Sequence, residues 1–234
     1  MRVHSILAAT AASLLILATG MVPQAALADA NQVRLSKQYG VGYLPLMVME
    51  DHKLIEKHTQ ALGLGSVKVG WFTFSGGSAA NDALLSGSID FAGGGIGSFM
   101  TLWDKTRGGL AVKSPGAVCS YPMYLNTTNP HIHSIKDFTA KDKIALPAVG
   151  ISPQAVTLQS AAAQLWGMSN YKKLDSLTVT LGHPAAVQAL LSGKSEVNTH
   201  FATPPFQYEE LKDPRIHTVL KSYDVWGGPM TANI

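Results

Sequence analysis

Two stretches of the chain spell almost the same nine residues. Ala79-Ala80-Asn81-Asp82-Ala83-Leu84-Leu85-Ser86-Gly87 and Ala185-Ala186-Val187-Gln188-Ala189-Leu190-Leu191-Ser192-Gly193 agree at seven positions. Each reads as a short Ala/Leu helix ended by glycine, the residue that most easily takes the left-handed conformation at a helix C-terminus. One such match is what two Ala-rich helices give by composition. A second signal, in the same order and at nearly the same separation, goes further. Val41-Gly42-Tyr43-Leu44-Pro45 and Val149-Gly150-Ile151-Ser152-Pro153 lie 108 residues apart, against 106 for the helix match. A chain that carries the same signals twice is constrained to build the same unit twice.

The unit can be read in each copy. An apolar run, Val33 to Tyr39 or Ile144 to Leu146, leads through a glycine-bearing loop to a proline, which a first helical turn tolerates because its missing N–H has no partner there. In the first copy Met47, Val48, Leu54, Ile55, His58 and Leu62 recur at helical spacing, so one long helix is predicted up to Gly63; in the second, Val156 to Trp166 precedes Gly167. Branched and aromatic residues then predict strands at Val67 to Phe74 and Leu177 to Leu181, followed by the matched helices. Apolar-containing runs, Ile89 to Ala92 and Glu196 to Phe201, close each copy. Strand, helix, strand, helix, strand with right-handed crossovers gives parallel strands covered by helices, hence an α/β protein of two similar lobes. Val118 to Leu125 is predicted to cross from the first copy to the second. Tyr223 to Gly228, after the run Ile216 to Leu220, is predicted to return, and two crossings make a hinge.

The amino terminus reads as a signal peptide: Arg2 is the charge, Ile6 to Gly20 the apolar stretch and Ala26-Leu27-Ala28 the cleavage site. The mature protein is expected to start near Asp29, exported and without another membrane span. The single cysteine, Cys119, is far from the processing site, so neither a lipid anchor there nor an internal disulfide is expected. Net charge is only +3, the leader removes Arg2, and the chain has no basic run with interleaved aromatics. A nucleic-acid partner is therefore not expected, and a small molecule is.

In open α/β sheets ligands collect at the carboxyl ends of strands, where helix N-termini present free N–H groups. That rule selects the loops Val41 to Leu44, Ser75 to Ser78, Gly93 to Ser98, Val149 to Gln154 and Gly182 to Pro184. In Ser75-Gly76-Gly77-Ser78 the glycines let backbone approach an anionic oxygen, while Ser78 either caps the helix or donates outward. Tyr43 stacks on a ligand or covers the core, and Trp226 lines the cleft or packs the hinge. His183 donates to an oxyanion or sits in solvent, and Thr203 is a further candidate. Catalytic signatures are missing: the chain has no Gly-x-Ser-x-Gly elbow and no phosphate loop, and Gly93-Gly94-Gly95-Ile96-Gly97 lacks dinucleotide spacing. Cys119 is apolar-flanked, as inert cysteines are, and His131-x-His133 lacks a second ligand pair. No catalytic residue, metal or cofactor is expected.

Gly42-Tyr43-Leu44-Pro45, the Ser-Gly-Gly-Ser loop at 75–78 and Leu84-Leu85-Ser86-Gly87-Ser88-Ile89-Asp90-Phe91 resemble the periplasmic solute-binding proteins of nitrate, sulfonate and taurine ABC importers. The same domain is similar to proteins of thiamine-pyrimidine metabolism. The resemblance implies a type II periplasmic-binding-protein fold: residues 29–120 with 222–234 as the first lobe, 121–221 as the second, joined by a two-strand hinge. It implies a monomer that captures a small oxyanion by closure and hands it to an inner-membrane permease. Carried over by position, Tyr43, Gly76, Gly77, Ser78 and Ser98 hold the ligand from the first lobe, and Ser152, Gln154 and His183 from the second, with Trp226 a further contact. Members of that family continue with helices that pack back on the first lobe. This chain stops at Ile234, so the resemblance implies a truncated C-terminal part and exposed apolar surface on that lobe.

Overall fold

The computed structural model describes residues 32–229 and 231–233. The expected signal peptide and its cleavage site lie outside the described residues. The first copy runs β1 (Gln32–Lys37), α1 (Leu44–Asp51), α2 (Leu54–Ala61), β2 (Lys68–Thr73), α3 (Gly77–Leu85), β3 (Phe91–Ala92) and α4 (Ile96–Thr106). The short strands β4 (Cys119–Ser120) and β5 (Tyr124–Thr127) follow. The second copy is β6 (Ile144–Leu146), α5 (Pro153–Trp166), β7 (Thr178–Thr180), α6 (His183–Ser192) and β8 (Thr199–Ala202). Last come α7 (Phe206–Glu210), β9 (His217–Lys221), α8 (Ser222–Trp226) and β10 (Thr231–Asn233).

The duplicated signals produce duplicated topology. In the first sheet β1 lies between β2 and β3, parallel to both; in the second β6 lies between β7 and β8, again parallel to both. The second sheet then extends through β5 and β9, with β5 antiparallel to β8 and to β9. In the first copy Asp90 locks β3 to β1, its carboxylate accepting from the Arg34 backbone N–H at 2.8 Å and from the guanidinium at 2.7 Å. β4, between the copies, pairs antiparallel with β10 near the C-terminus.

Two expectations are corrected here. Ser222–Trp226 of the expected return crossing is the helix α8, which packs on the second copy, and β10 beyond it pairs with β4. Val225 belongs to the second-copy core and its carbonyl accepts from Gln164 Nε2 on α5 at 2.9 Å. The long helix expected between Pro45 and Gly63 is broken at Lys53, whose φ is 51°. The break lets Leu46 and Met49 of α1 and Ile55 of α2 face one groove.

The two copies are packed unequally. Met123, Leu125, Ile144, Leu146, Leu158 and Phe201, each at most 1 % exposed, centre a core built around the second sheet. In the first copy neither α1 nor α2 buries a residue fully. An apolar groove of about 940 Å³ lies on that copy, lined by Val33, Leu35, Leu46, Met49, Leu84 and Phe99 among others.

Helix ends follow the punctuation of the sequence. Gly167 (φ 86°) and Gly193 (φ 62°) stop α5 and α6 in conformations that side chains resist. At the start of α5, Ser152 Oγ accepts from the Ala155 N–H at 3.2 Å while Pro153 occupies the first turn. Ser152→Ala is expected to lower the unfolding free energy by about 1 kcal/mol, measured by urea titration with an unchanged m-value.

Candidate ligand-binding site

Because the unit is built twice, four helix starts come together. Gly76 and Gly95 precede α3 and α4, Ser152 and Gly182 precede α5 and α6, and all four caps have extended backbone. Gly77, Ser98, Gln154 and His183, from the first turns of these helices, line a single cavity with Gln38, Tyr39, Tyr43, Ser75, Gly95, Tyr121, Pro147, Ser152 and Pro153. None of the four helices has an acidic residue in its first turn, so the positive ends of their dipoles are not neutralised locally. No lysine, arginine, aspartate or glutamate lines the cavity.

The walls are held close by glycines. A Cβ on Gly76 would stand 2.1 Å from the Pro147 carbonyl oxygen, one on Gly95 2.3 Å from Pro153 Cδ, and one on Gly97 2.4 Å from the Ile151 oxygen. Each pair joins the first copy to the second. On another side of the cavity the Val41 N–H donates to the Pro204 carbonyl at 3.0 Å, tying the loop after β1 to the loop after β8. The remaining space is about 20 Å³, room for roughly one water. Admitting an organic solute therefore requires the two walls to part.

The wall is polar but uncharged. Ser98 Oγ and Gln154 Oε1, on residues 2 % exposed, have no hydrogen-bond partner in the protein. Buried polar atoms are otherwise almost always paired, so two orphans in one cavity mark it as a place for a polar guest. Ser152 Oγ accepts as a cap and keeps its own hydrogen for an acceptor. Gln38 is committed, its Nε2 donating to the Gly93 carbonyl at 3.1 Å. Burial pushes the Tyr43 hydroxyl well above its ordinary range, with Tyr121 and Cys119 adding to the effect, so it stays a neutral phenol. Burial holds the His183 imidazole well below its ordinary value, reinforced by His200, so it is neutral too.

Of the residues singled out from the sequence, Tyr43, Gly77, Ser98, Ser152, Gln154 and His183 are brought together on this wall. His183 is 5 % exposed rather than in solvent, and its ring stacks on Phe206. Gly76 stands just behind, against Pro147. Ser78 lies one residue inside α3, exposed; the extended cap is Gly76, with no side-chain cap bond. Trp226 is not on the wall: its indole N–H donates to Thr157 Oγ1 at 3.1 Å from α8. Thr203 is buried behind Gly40, its hydroxyl without a protein partner. Cys119 packs against the second-copy core, and no metal-binding group of three His, Cys, Asp or Glu occurs among the described residues. Sequence reasoning missed Gln38, Tyr39, Tyr121 and Pro147. For Gln38 and Tyr39 the signal was present, since they follow β1 directly; Tyr121 lies in the crossing passage, which no loop rule selects.

No protein-family model and no curated protein matches the sequence. Solved structures do match the fold. A protein from Bordetella bronchiseptica RB50 superposes with a TM-score of 0.68 at 20% identity, over 88% of this chain and 63% of its own. The alkanesulfonate-binding protein SsuA from Xanthomonas axonopodis pv. citri, bound to MOPS, gives 0.60 at 16% identity, over 87% and 64%. A Candida albicans gene product described as exhibiting the generic periplasmic binding protein structural fold gives 0.61 at 13% identity, over 81% and 59%. The chain thus spans less than two thirds of the length of each of these structures. Its two α/β lobes have the periplasmic-binding-protein fold. No helix among the described residues is long and apolar enough to cross a membrane.

Proposed function

We propose that this chain is the solute-binding subunit of an ABC importer, which captures a small oxyanion between its lobes and delivers it to an inner-membrane permease. The observation that carries this reading is the convergence of four helix N-termini, two from each lobe, on one uncharged cavity. Each end favours a negative charge by roughly 0.3 to 1 kcal/mol at an exposed site and more when dry. Four together hold an oxyanion without a cationic side chain. The buried, unpaired Ser98 hydroxyl supplies a further donor.

Alkanesulfonates head the candidates, followed by taurine and nitrate-like anions. The likeness to an alkanesulfonate-binding protein adds to the sulfonate choice. On this reading the protein is exported to the periplasm after cleavage near Ala28, works as a monomer and makes or breaks no bond. Residues 29–120 form the first lobe and 121–221 the second; of the passage 222–234, α8 packs with the second lobe and the stretch from β10 goes with the first. Tyr43, Gly76, Gly77, Ser78, Ser98, Ser152, Gln154 and His183 hold the solute, and Trp226 steadies α8 behind the wall.

Titration calorimetry with a panel of sulfonates, taurine and nitrate tests this directly. Micromolar or tighter binding of at least one member is expected. A folded sample that gives no heat with any of them removes the oxyanion assignment. Tyr39, Tyr43 and Tyr121 on the wall favour one second reading, an aromatic heterocycle such as a pyrimidine precursor stacked among them. Tyr43→Ala separates the two: losing the ring should dominate the loss of affinity for a stacked heterocycle, whereas an anion held by helix ends should lose less.

A further inference from the structure

Behind the cavity wall runs a line of buried groups that solute capture by helix ends alone does not need. His183 Nδ1 lies 2.8 Å from His200 Nε2, and His200 Nδ1 is hydrogen-bonded to Glu210 Oε1. At the cavity end, His183 Nε2 lies 3.3 Å from Gln154 Nε2. His200 and Glu210 are fully buried, and His183 is held by its stack on Phe206. At the far end Asn126 Nδ2 donates to Glu210 Oε2 at 2.8 Å and to the Gln207 carbonyl at 3.2 Å, so its amide cannot turn over without losing both bonds.

A neutral imidazole has one N–H and one lone pair, so each contact in this line carries a single hydrogen and its direction is passed on. With Glu210 protonated, the carboxyl donates to His200 Nδ1 and His200 Nε2–H donates to His183 Nδ1. His183 Nε2–H then points at Gln154, which turns its oxygen to it and presents its NH2 to the cavity. With Glu210 ionised every arrow reverses. His183 Nε2 accepts from the Gln154 NH2, and Gln154 Oε1 faces the cavity. The observed orientation, with Nε2 toward His183 and Oε1 without a protein partner, is the second of these.

We propose that Glu210 is a specificity-determining residue of the site: through His200 and His183, its proton decides whether Gln154 offers the solute a donor or an acceptor. For oxyanion capture this inference rests on the function proposed above; the relay itself does not. The groups facing Glu210 are His200 from β8, Asn126 from β5 and Glu209 on its own helix, while α6 contributes only His183 beyond His200. Burial raises the Glu210 carboxyl to about 8, against the Asn126 hydrogen bond and with help from Glu209. Burial lowers His200 to about 3, so the variable proton sits on Glu210. The donor form therefore prevails at neutral pH and the acceptor form above about 8.

The test uses methanesulfonate, whose charge does not change across the range. Its affinity for the wild-type protein is expected to fall at least about tenfold between about pH 7 and about pH 9.5, as a donor to the anion is replaced by an acceptor. In Glu210→Gln the amide oxygen accepts from Asn126 and the amide NH2 faces His200, which locks the donor form. The pH dependence should then shrink to about twofold or less. Wild-type binding that is equally flat overturns the role in specificity. In the solute-free protein, ring-nitrogen chemical shifts should show His183 changing from the Nε2–H to the Nδ1–H tautomer over the same range. If neither methanesulfonate nor any other member of the anion panel gives heat but the tautomer switches, the oxyanion reading has failed and the relay stands. If His183 keeps one tautomer throughout, the relay is wrong whatever binds.

Discussion

Gly76→Ala should destroy tight solute capture while leaving both lobes folded. The φ of Gly76, −172°, is extended backbone that alanine adopts without strain, so the substitution does not damage the loop itself. What it adds is a methyl 2.1 Å from the Pro147 carbonyl oxygen and 2.9 Å from the carbonyl carbon, both backbone atoms of the other lobe. Neither can swing aside as a side-chain tip would, so the lobes must move apart. Gly95→Ala acts in the same way against Pro153. Overpacking of this kind typically costs about 1 to 3 kcal/mol, which corresponds to roughly 5- to 150-fold in affinity. Because closure and binding are coupled, the whole loss should appear in the dissociation constant and little of it in the melting temperature. Gly116→Ala, where an added methyl meets nothing within 4 Å, is the matched control. Wild-type affinity in both Gly76→Ala and Gly95→Ala would mean that capture does not need these walls to meet.

Thermal stability should peak near pH 6.5 and decline on both sides, for reasons located in three buried groups. Glu210 is raised to about 8 in the folded protein, so between the unfolded carboxyl's ordinary value and about 8 the folded chain holds a proton that the unfolded chain has released. Stability falls with rising pH across that window, most visibly above 6.5 where no histidine opposes it, with a slope of up to about 1.4 kcal/mol per pH unit for one proton. His183 and His200 are lowered, His200 to about 3. Below about 6.5 the unfolded chain therefore takes up protons that the folded chain refuses, and stability falls as pH falls. Two histidines against one carboxyl leave a net difference of one proton, so the acid limb is about as steep as the alkaline one until the unfolded carboxyl itself takes up its proton. Further down, Asp213, lowered to about 2 by its bonds to Arg215, adds to the acid loss. Melting curves from about pH 4 to 9 measure the profile, and Glu210→Gln should flatten its alkaline limb. A wild-type curve with no alkaline decline between 6.5 and 8 would show that Glu210 is ionised in the folded state.

Much of this architecture could be read from local punctuation. Pro45 and Pro153 mark helix starts, Gly167 and Gly193 mark helix ends, and the near-equal spacing of the two matched signals implied two similar sets of parallel strands; their order, with β1 and β6 central, came from the structure. The rule that ligands gather beyond strand carboxyl ends then selected Tyr43, Gly77, Ser98, Ser152, Gln154 and His183 before any contact was known. These features depend on residues close together in the chain, and propensity and periodicity report on such neighbourhoods.

Other features depend on partners that no local pattern names. Trp226 stands beside Gly227-Gly228 much as a cleft residue would, yet Thr157, 69 residues earlier, takes its N–H and holds it off the wall. Asn126 and Glu210 are 84 residues apart, and nothing around either suggests a buried bond between them. His200 lies in a strand that looks ordinary until β5 and α7 close over it. The break at Lys53 is likewise invisible in a helical pattern that continues smoothly through it.

The amino-acid sequence by itself determined that a βαβαβ unit is built twice, and which loops end its strands, because turn and cap preferences act within a few residues. Tertiary structure alone decided how closely the two glycine-lined walls meet and which buried carboxyl stands behind them. Burial and hydrogen-bond pairing are properties of groups that only packing brings together.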